Sequence, residues 1–301
     1  MSHISAGIWR LADPKISLAS FSSMFLGACA AAGDGHLMIG WLALTVLGIF
    51  CIEVAKNASG EVVDFDSGTD LAVEAEDRSP FSGGKRVLVE ALLTRRQTVD
   101  IAVVGYALGI AIGLAIAVGR EAAVLVLGVV GVACAYFYHA RPLRLSYRGL
   151  GEFAVGLCYG PLICAGTYLV QRGRITTAVV LVALPLGMMI AAFLWVNEFP
   201  DYRADRAANK RTLVVQLGRQ RASRVFTILV SAAFVTLALL PLFGLPWGVW
   251  LGALGLPPAS VASRTLLACP ETTAHVIPAQ LNTLRAFVLL ALGTGVGLLL
   301  S

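Results

Sequence analysis

Charge is what this chain has least of. Only 14% of its 301 residues are Asp, Glu, Lys or Arg, against roughly 25% in an average soluble domain. With 57% hydrophobic residues and a mean hydropathy of +0.80, this composition excludes an ordinary soluble protein and implies repeated crossing of a bilayer. Paired-cysteine chemistry is also lacking. Cys29, Cys51, Cys134, Cys158, Cys164 and Cys269 are scattered through mostly apolar segments with no C-x-x-C spacing, which disfavours a redox or metal role and leaves them as small packing residues. No cleavable signal peptide is expected, because Trp9, Arg10, Asp13 and Lys15 precede the first apolar run.

What is present is a succession of apolar runs. They predict spans at about 17–32, 37–56, 101–118, 122–137, 153–170, 178–196 and 225–243, an eighth over roughly 245–267 interrupted by Pro257-Pro258, and a ninth over 287–300. The expected fold is therefore all-α, a multi-spanning membrane helical bundle of about nine transmembrane helices forming a single domain over 1–301. Nine spans place all but Arg120, Arg172 and Arg174 of the 23 basic residues on one face. This asymmetry predicts that the face is cytoplasmic. The net charge of +5 would suggest nucleic acid in a soluble protein, but here it orients the chain in a membrane, and no nucleic acid is expected.

The same face carries two acidic stretches, 57–70 and 197–205. On a helix Asn57, Glu61 and Asp64 fall at i, i+4 and i+7, and Glu198, Asp201 and Asp205 at i, i+3 and i+7, so each set projects from one side. Clustered carboxylates repel one another unless a cation lies among them, and hard oxygen donors with open positions suit Mg2+. The expected metal-holding residues are Glu61, Asp64, Asp201 and Asp205. Lys85, Arg86, Lys210 and Arg211 follow the two stretches and are expected to clasp a diphosphate, with Asn57 and Asn197 bonding phosphate or metal ligands. Both stretches pair an Asn with spaced carboxylates and a basic segment, which is consistent with an internal duplication. The loop over 136–152 mixes aromatic and basic side chains. It reads either as an interfacial belt or as a cover over the site, with Arg144 and Tyr147 as acceptor or lid residues. His139 reads as a boundary residue.

Over about 57–218 these motifs resemble the UbiA superfamily of intramembrane prenyltransferases. Asp64-x-x-x-Gly68-x-Asp70, Gly149-Leu-Gly-Glu152 and Asn197-Glu-x-x-Asp201-x-x-x-Asp205-x-x-x-x-Lys210-Arg-Thr-Leu are most similar to its dihydroxynaphthoate branch. The resemblance implies a nine-helix bundle around a central cavity and Mg2+-dependent transfer from a polyprenyl diphosphate to a small aromatic acceptor, a quinone precursor such as 1,4-dihydroxy-2-naphthoate. It also implies an inner-membrane location with the active site facing the cytoplasm. It adds Asp70 to the metal set and gives Asp64 and Asp201 the central catalytic places. One departure stands out: Gly60-Glu61 occupies the position of Asn-Asp in the usual N-D-x-x-D core.

Other readings compete. Within the superfamily, the acceptor could be 4-hydroxybenzoate, homogentisate or a non-aromatic lipid alcohol. A transporter would also carry repeats and intramembrane charge, but its site should lie at mid-span. A CDP-alcohol phosphotransferase should show a D-G-x-x-A-R run, which is missing. A degenerate enzyme with a structural role would not be expected to keep both acidic stripes.

Overall fold

The structure, a computed structural model, describes residues 3–301, and no strand occurs among them. The chain is a helical bundle. It begins with α1 (His3–Ala12), α2 (Pro14–Gly33) and α3 (Ile39–Asp66), followed by α4 (Arg95–Gly119) and α5 (Val124–Phe137). Next come α6 (Gly151–Leu157), one wide π-type turn (Cys158–Leu162), α7 (Ile163–Arg172), α8 (Thr177–Ala207) and the short α9 (Leu213–Leu217). The chain ends with α10 (Arg219–Leu239), a 3-10 segment (Trp247–Gly255), α11 (Leu256–Ala268) and α12 (Thr273–Leu299).

Local sequence explains several boundaries. Pro14 cannot continue α1, so the chain turns at Asp13, which adopts φ 39, and restarts as α2 with proline in its first turn. At α4, Thr94 accepts from the amide of Gln97 while the Gln97 side chain accepts from the amide of Thr94, a reciprocal capping box. Thr176 and Thr212 cap α8 and α9 with a single bond each, accepting from the amides of Val179 and Val215.

Seven helical stretches are long and apolar enough to cross a bilayer: 3–33, 39–66, 95–119, 151–172, 177–207, 219–243 and 273–299. The chain is an integral membrane protein. Two of the nine expected spans take another form. Val124–Phe137 is a shorter apolar helix, and the region expected to hold the interrupted eighth span is divided between the 3-10 segment and α11, with Pro257 and Pro258 in the first turn of α11. Length and hydropathy thus establish the bundle without fixing the number of crossings at nine.

Helix α8 is the central post. Its buried residues run from Val179 to Asp205 and include the small side chains Ala183, Gly187, Ala191 and Ala192. In lipid, apolar burial gives helices little reason to associate, so close packing along small-residue faces carries the assembly. Helix α2 buries a similar face through Ala19, Ser20, Ser23, Gly27 and Ala31. Val103, Val104, Leu108 and Leu114 of α4, with Val126 and Val129 of α5, remain exposed as expected of lipid-facing positions. Both acidic stretches are more helical than a loop: α3 and α8 continue without interruption through Asp64 and Asp205.

Candidate active site

The ends of α3 and α8 meet at the mouth of a cavity of about 810 Å³. Asn57, Glu61, Asp64 and Asp70 line it from one side, and Asn197, Glu198, Asp201, Asp205 and Lys210 from the other. Below this polar ring the wall is formed by Ile112 and Ile116 of α4, Leu127 of α5 and Ile163 of α7, among other residues. The helical spacing read from sequence therefore does place both stripes on facing sides of one space.

Asp64 and Lys210 are central to the polar contacts. The Lys210 ammonium lies 3.8 Å from Asp64 and 3.5 Å from Asp205, joining the two stretches through one cation. Burial opposes the charge on Lys210, but the carboxylates of Asp205 and Asp64 hold it well above the ordinary lysine range. Tyr147 donates to Asp64 Oδ1 at 2.7 Å, and His139 Nε2 lies 3.7 Å from Asp64 Oδ2. Arg144 stacks on the Tyr147 ring at 3.7 Å. The aromatic and basic loop thus forms one wall of the acidic mouth.

The Gly149-to-Glu152 turn is explained by the same assembly. Glu152 accepts from the Leu213 amide at 2.9 Å, and the Arg211 amide donates to the Tyr147 carbonyl at 3.2 Å. These bonds dock residues 147–152 against 211–213 and hold Lys210 over the cavity. The Arg211 side chain is exposed, and only its backbone takes part in this docking.

Segment 67–94 folds back over the mouth. Glu61 accepts from the Leu88 amide at 2.9 Å, so the longer side chain that departs from the expected Asp reaches across to anchor this segment. Lys85 pairs with Asp13, and Arg86 contacts Glu90 at 3.3 Å and the Asp70 carbonyl at 3.2 Å. Asn57 donates to the Leu11 carbonyl at 2.8 Å, tying α1 to α3. Lys85, Arg86 and Asn57 therefore line the cavity with existing protein partners, whereas Asn197 Oδ1 has none.

Two glycines permit close approaches. A Cβ on Gly84 would lie 2.4 Å from Asp70 Oδ1, so Gly84 lets the backbone press against that carboxylate at φ 75. A Cβ on Gly60 would lie 2.5 Å from His139 Cε1. Gly60, the other departure from the usual core, thus makes room for the His139 ring beside Asp64. Burial lowers the pKa of this imidazole to about 4, leaving it neutral near pH 7. Sequence alone makes His139 a boundary residue; its proximity to Asp64 depends on a contact between distant segments and has no local signal.

Oxygen atoms of Glu61 (Oε2), Asp70 (Oδ2) and Asp201 (Oδ1) are buried without hydrogen-bond partners, while Asp205 Oδ1 faces the Lys210 ammonium. Burial, then the charges of Asp64 and Glu61, push the Asp70 carboxyl up to about 8. Among the described residues no three acidic, His or Cys side chains already converge as a metal cage. Unpartnered hard oxygens distributed around a mouth nevertheless fit Mg2+, which commonly takes one or two carboxylates and completes its shell with water and substrate phosphate.

The sequence matches the UbiA prenyltransferase family over residues 20–284. A Bacillus subtilis relative named 1,4-dihydroxy-2-naphthoate octaprenyltransferase is 25% identical over 244 residues, covering 80% of this chain and 76% of the relative. The fold is similar to that of a UbiA homolog from Aeropyrum pernix K1, with a TM-score of 0.68 at 18% identity and coverage of 92% and 97% of the two chains. It is also similar to a UbiA homolog from Archaeoglobus fulgidus bound to GPP and Mg2+, with a TM-score of 0.62 at 16% identity and coverage of 98% and 100%. The family match spans most of the cavity-forming helices, and the chain belongs to the UbiA family of prenyltransferases.

Proposed function

We propose that this enzyme transfers a polyprenyl group from an allylic polyprenyl diphosphate to a small aromatic acceptor, with Mg2+ as cofactor, and that 1,4-dihydroxy-2-naphthoate is its acceptor in quinone biosynthesis. The observation that carries the reading is the convergence of two acidic helix ends and Lys210 over an apolar cavity. Support for the substrates comes from the naphthoate named for the Bacillus relative and from the GPP and Mg2+ bound to the Archaeoglobus homolog. The excess of basic residues on the acidic face favours a cytoplasmic site in the inner membrane.

In this reading Glu61, Asp64, Asp70, Asp201 and Asp205 supply oxygen ligands, with Asp64 and Asp201 central, and Mg2+ when bound supplies positive charge to stabilise a leaving diphosphate. Lys210 adds fixed charge at the same position. Lys85, Arg86 and Asn197 face the diphosphate, while Tyr147 and Arg144 form a lid beside Asp64. The donor tail occupies the apolar wall, where each buried CH2 contributes about 0.8 kcal/mol. The allylic C–O bond breaks with its electron pair going to diphosphate. A ring carbon then forms the new C–C bond, and loss of a proton restores aromaticity. No covalent enzyme nucleophile is required.

The test is diphosphate release by purified protein with Mg2+ and geranylgeranyl diphosphate, screened against dihydroxynaphthoate, hydroxybenzoate and homogentisate. Release is expected with dihydroxynaphthoate, to depend on acceptor, and to disappear in Asp201→Ala. Full activity in that variant, or activity indifferent to chelation of Mg2+, would remove the mechanism.

A further inference from the structure

A second polar group lies deeper in the same cavity. Glu53 is two turns before Glu61 on α3, about 12 Å further along the helix axis. It is 6% exposed and lines the cavity. Ser20 of α2 donates to its Oε2 at 2.9 Å, and the hydroxyls of Tyr159 and Ser17 lie close by. Its other oxygen, Oε1, is buried without a hydrogen-bond partner. Lys56, one turn toward the mouth, also lines the cavity.

The backbone contributes to this arrangement. Tyr159 belongs to the wide turn over Cys158–Leu162, which contains Pro161. Such turns rotate the following side chains relative to an ordinary helix and recur at functional sites. Here the turn brings Tyr159, a cavity-lining residue, to Glu53. A buried carboxyl group with one oxygen bonded by Ser20 and the other left open offers an acceptor position for a donated hydrogen bond.

We infer that Glu53 is the hydroxyl-binding residue of an aromatic-acceptor subsite lying beneath the acidic mouth, accepting on Oε1 a hydrogen bond from a phenolic hydroxyl of the acceptor. This rests on the aromatic prenyl-transfer reading above. Ser20 and Tyr159 orient the carboxylate, and the surrounding apolar wall accommodates the ring. A donor with its diphosphate at the acidic mouth and its tail below would bring its reactive carbon toward this level. Glu53 thereby selects acceptors carrying a free hydroxyl over otherwise similar ethers.

The test measures equilibrium binding to the full-length protein in detergent without donor, using 1,4-dihydroxy-2-naphthoate and 1,4-dimethoxy-2-naphthoate as probes. Wild type is expected to bind the dihydroxy compound about tenfold more tightly than the ether, the discrimination that one buried hydrogen bond supplies. Glu53→Leu should erase that preference, Glu53→Gln should leave a reduced one, and both should retain the wild-type affinity for geranyl diphosphate with Mg2+. An unchanged preference in both variants, no preference or no binding in the wild type, or equal loss of donor and acceptor binding in both variants overturns the inference. Diphosphate release by the wild type is read separately, so failure of the transfer reaction is distinguished from failure of this subsite.

Discussion

Tyr147 donates its phenolic hydrogen to Asp64 at 2.7 Å across 83 positions of sequence. This bond joins the aromatic loop to the first acidic helix. Tyr147→Phe keeps the ring that stacks on Arg144 but removes the donor. A hydrogen bond to a charged group contributes about 1.5–3 kcal/mol, so turnover is expected to fall roughly tenfold or more while the fold persists. Steady-state rates together with a melting curve check this, and an unchanged rate would dismiss a functional role for the bond.

Lys210 sits between Asp64 and Asp205, and the Lys210 and Asp64 side chains are each 15% exposed. Lys210→Met leaves two carboxylates facing each other without their cation. Removing one partner from a buried charge group costs about 3–5 kcal/mol. The variant should unfold at lower temperature in detergent and lose transferase activity, with added Mg2+ restoring part of the stability. A melting temperature equal to that of the wild type would contradict this role.

The raised Asp70 pKa, about 8, sets a pH dependence. An ordinary aspartate titrates near 4. Because the folded protein holds the proton more tightly, Asp70's contribution to metal-free stability is greatest below the unfolded pKa and is lost as pH rises toward about 8. Binding of Mg2+ favours the deprotonated form, so metal affinity should rise over this interval with proton release. Calorimetry in buffers of different ionisation enthalpy measures the released proton. Metal affinity independent of pH between 6 and 8 would argue against Asp70 as a ligand.

Gly60 and His139 should behave as a pair. Gly60→Asn introduces a Cβ where the His139 ring now lies, and forced repacking costs about 1–3 kcal/mol. His139→Ala in the same chain should recover part of that loss. Chemical denaturation of the two single variants and the double variant forms the required cycle, and strict additivity would refute the coupling.

The acidic helix faces were legible because carboxylates at three-, four- and seven-residue intervals share a side under helical periodicity. The same reasoning located Asp64, Asp201 and Lys210 near one cavity. It could not show that Lys85 pairs with Asp13, 72 positions away, or that Asn57 is committed to Leu11. Those partners meet only when α1 and the 67–94 segment fold against α3. The Pro257-Pro258 pair correctly marked irregularity near the eighth apolar run, but the local sequence did not reveal a 3-10 segment leading directly into α11. Glu53 was hidden for a different reason: it continues the Asn57–Glu61 face at four-residue spacing but lies within an apolar run, and its significance depends on Ser20 and Tyr159 arriving from two other segments.

Helix α5 has 14 residues and none of them is buried. At about 1.5 Å per residue it is roughly 21 Å long, short of the ~30 Å hydrocarbon layer. A face this short is matched by local thinning of the bilayer or by flanking side chains that reach to the interface, so lipid beside α5 meets a shorter apolar surface than lipid beside the 25-residue α4.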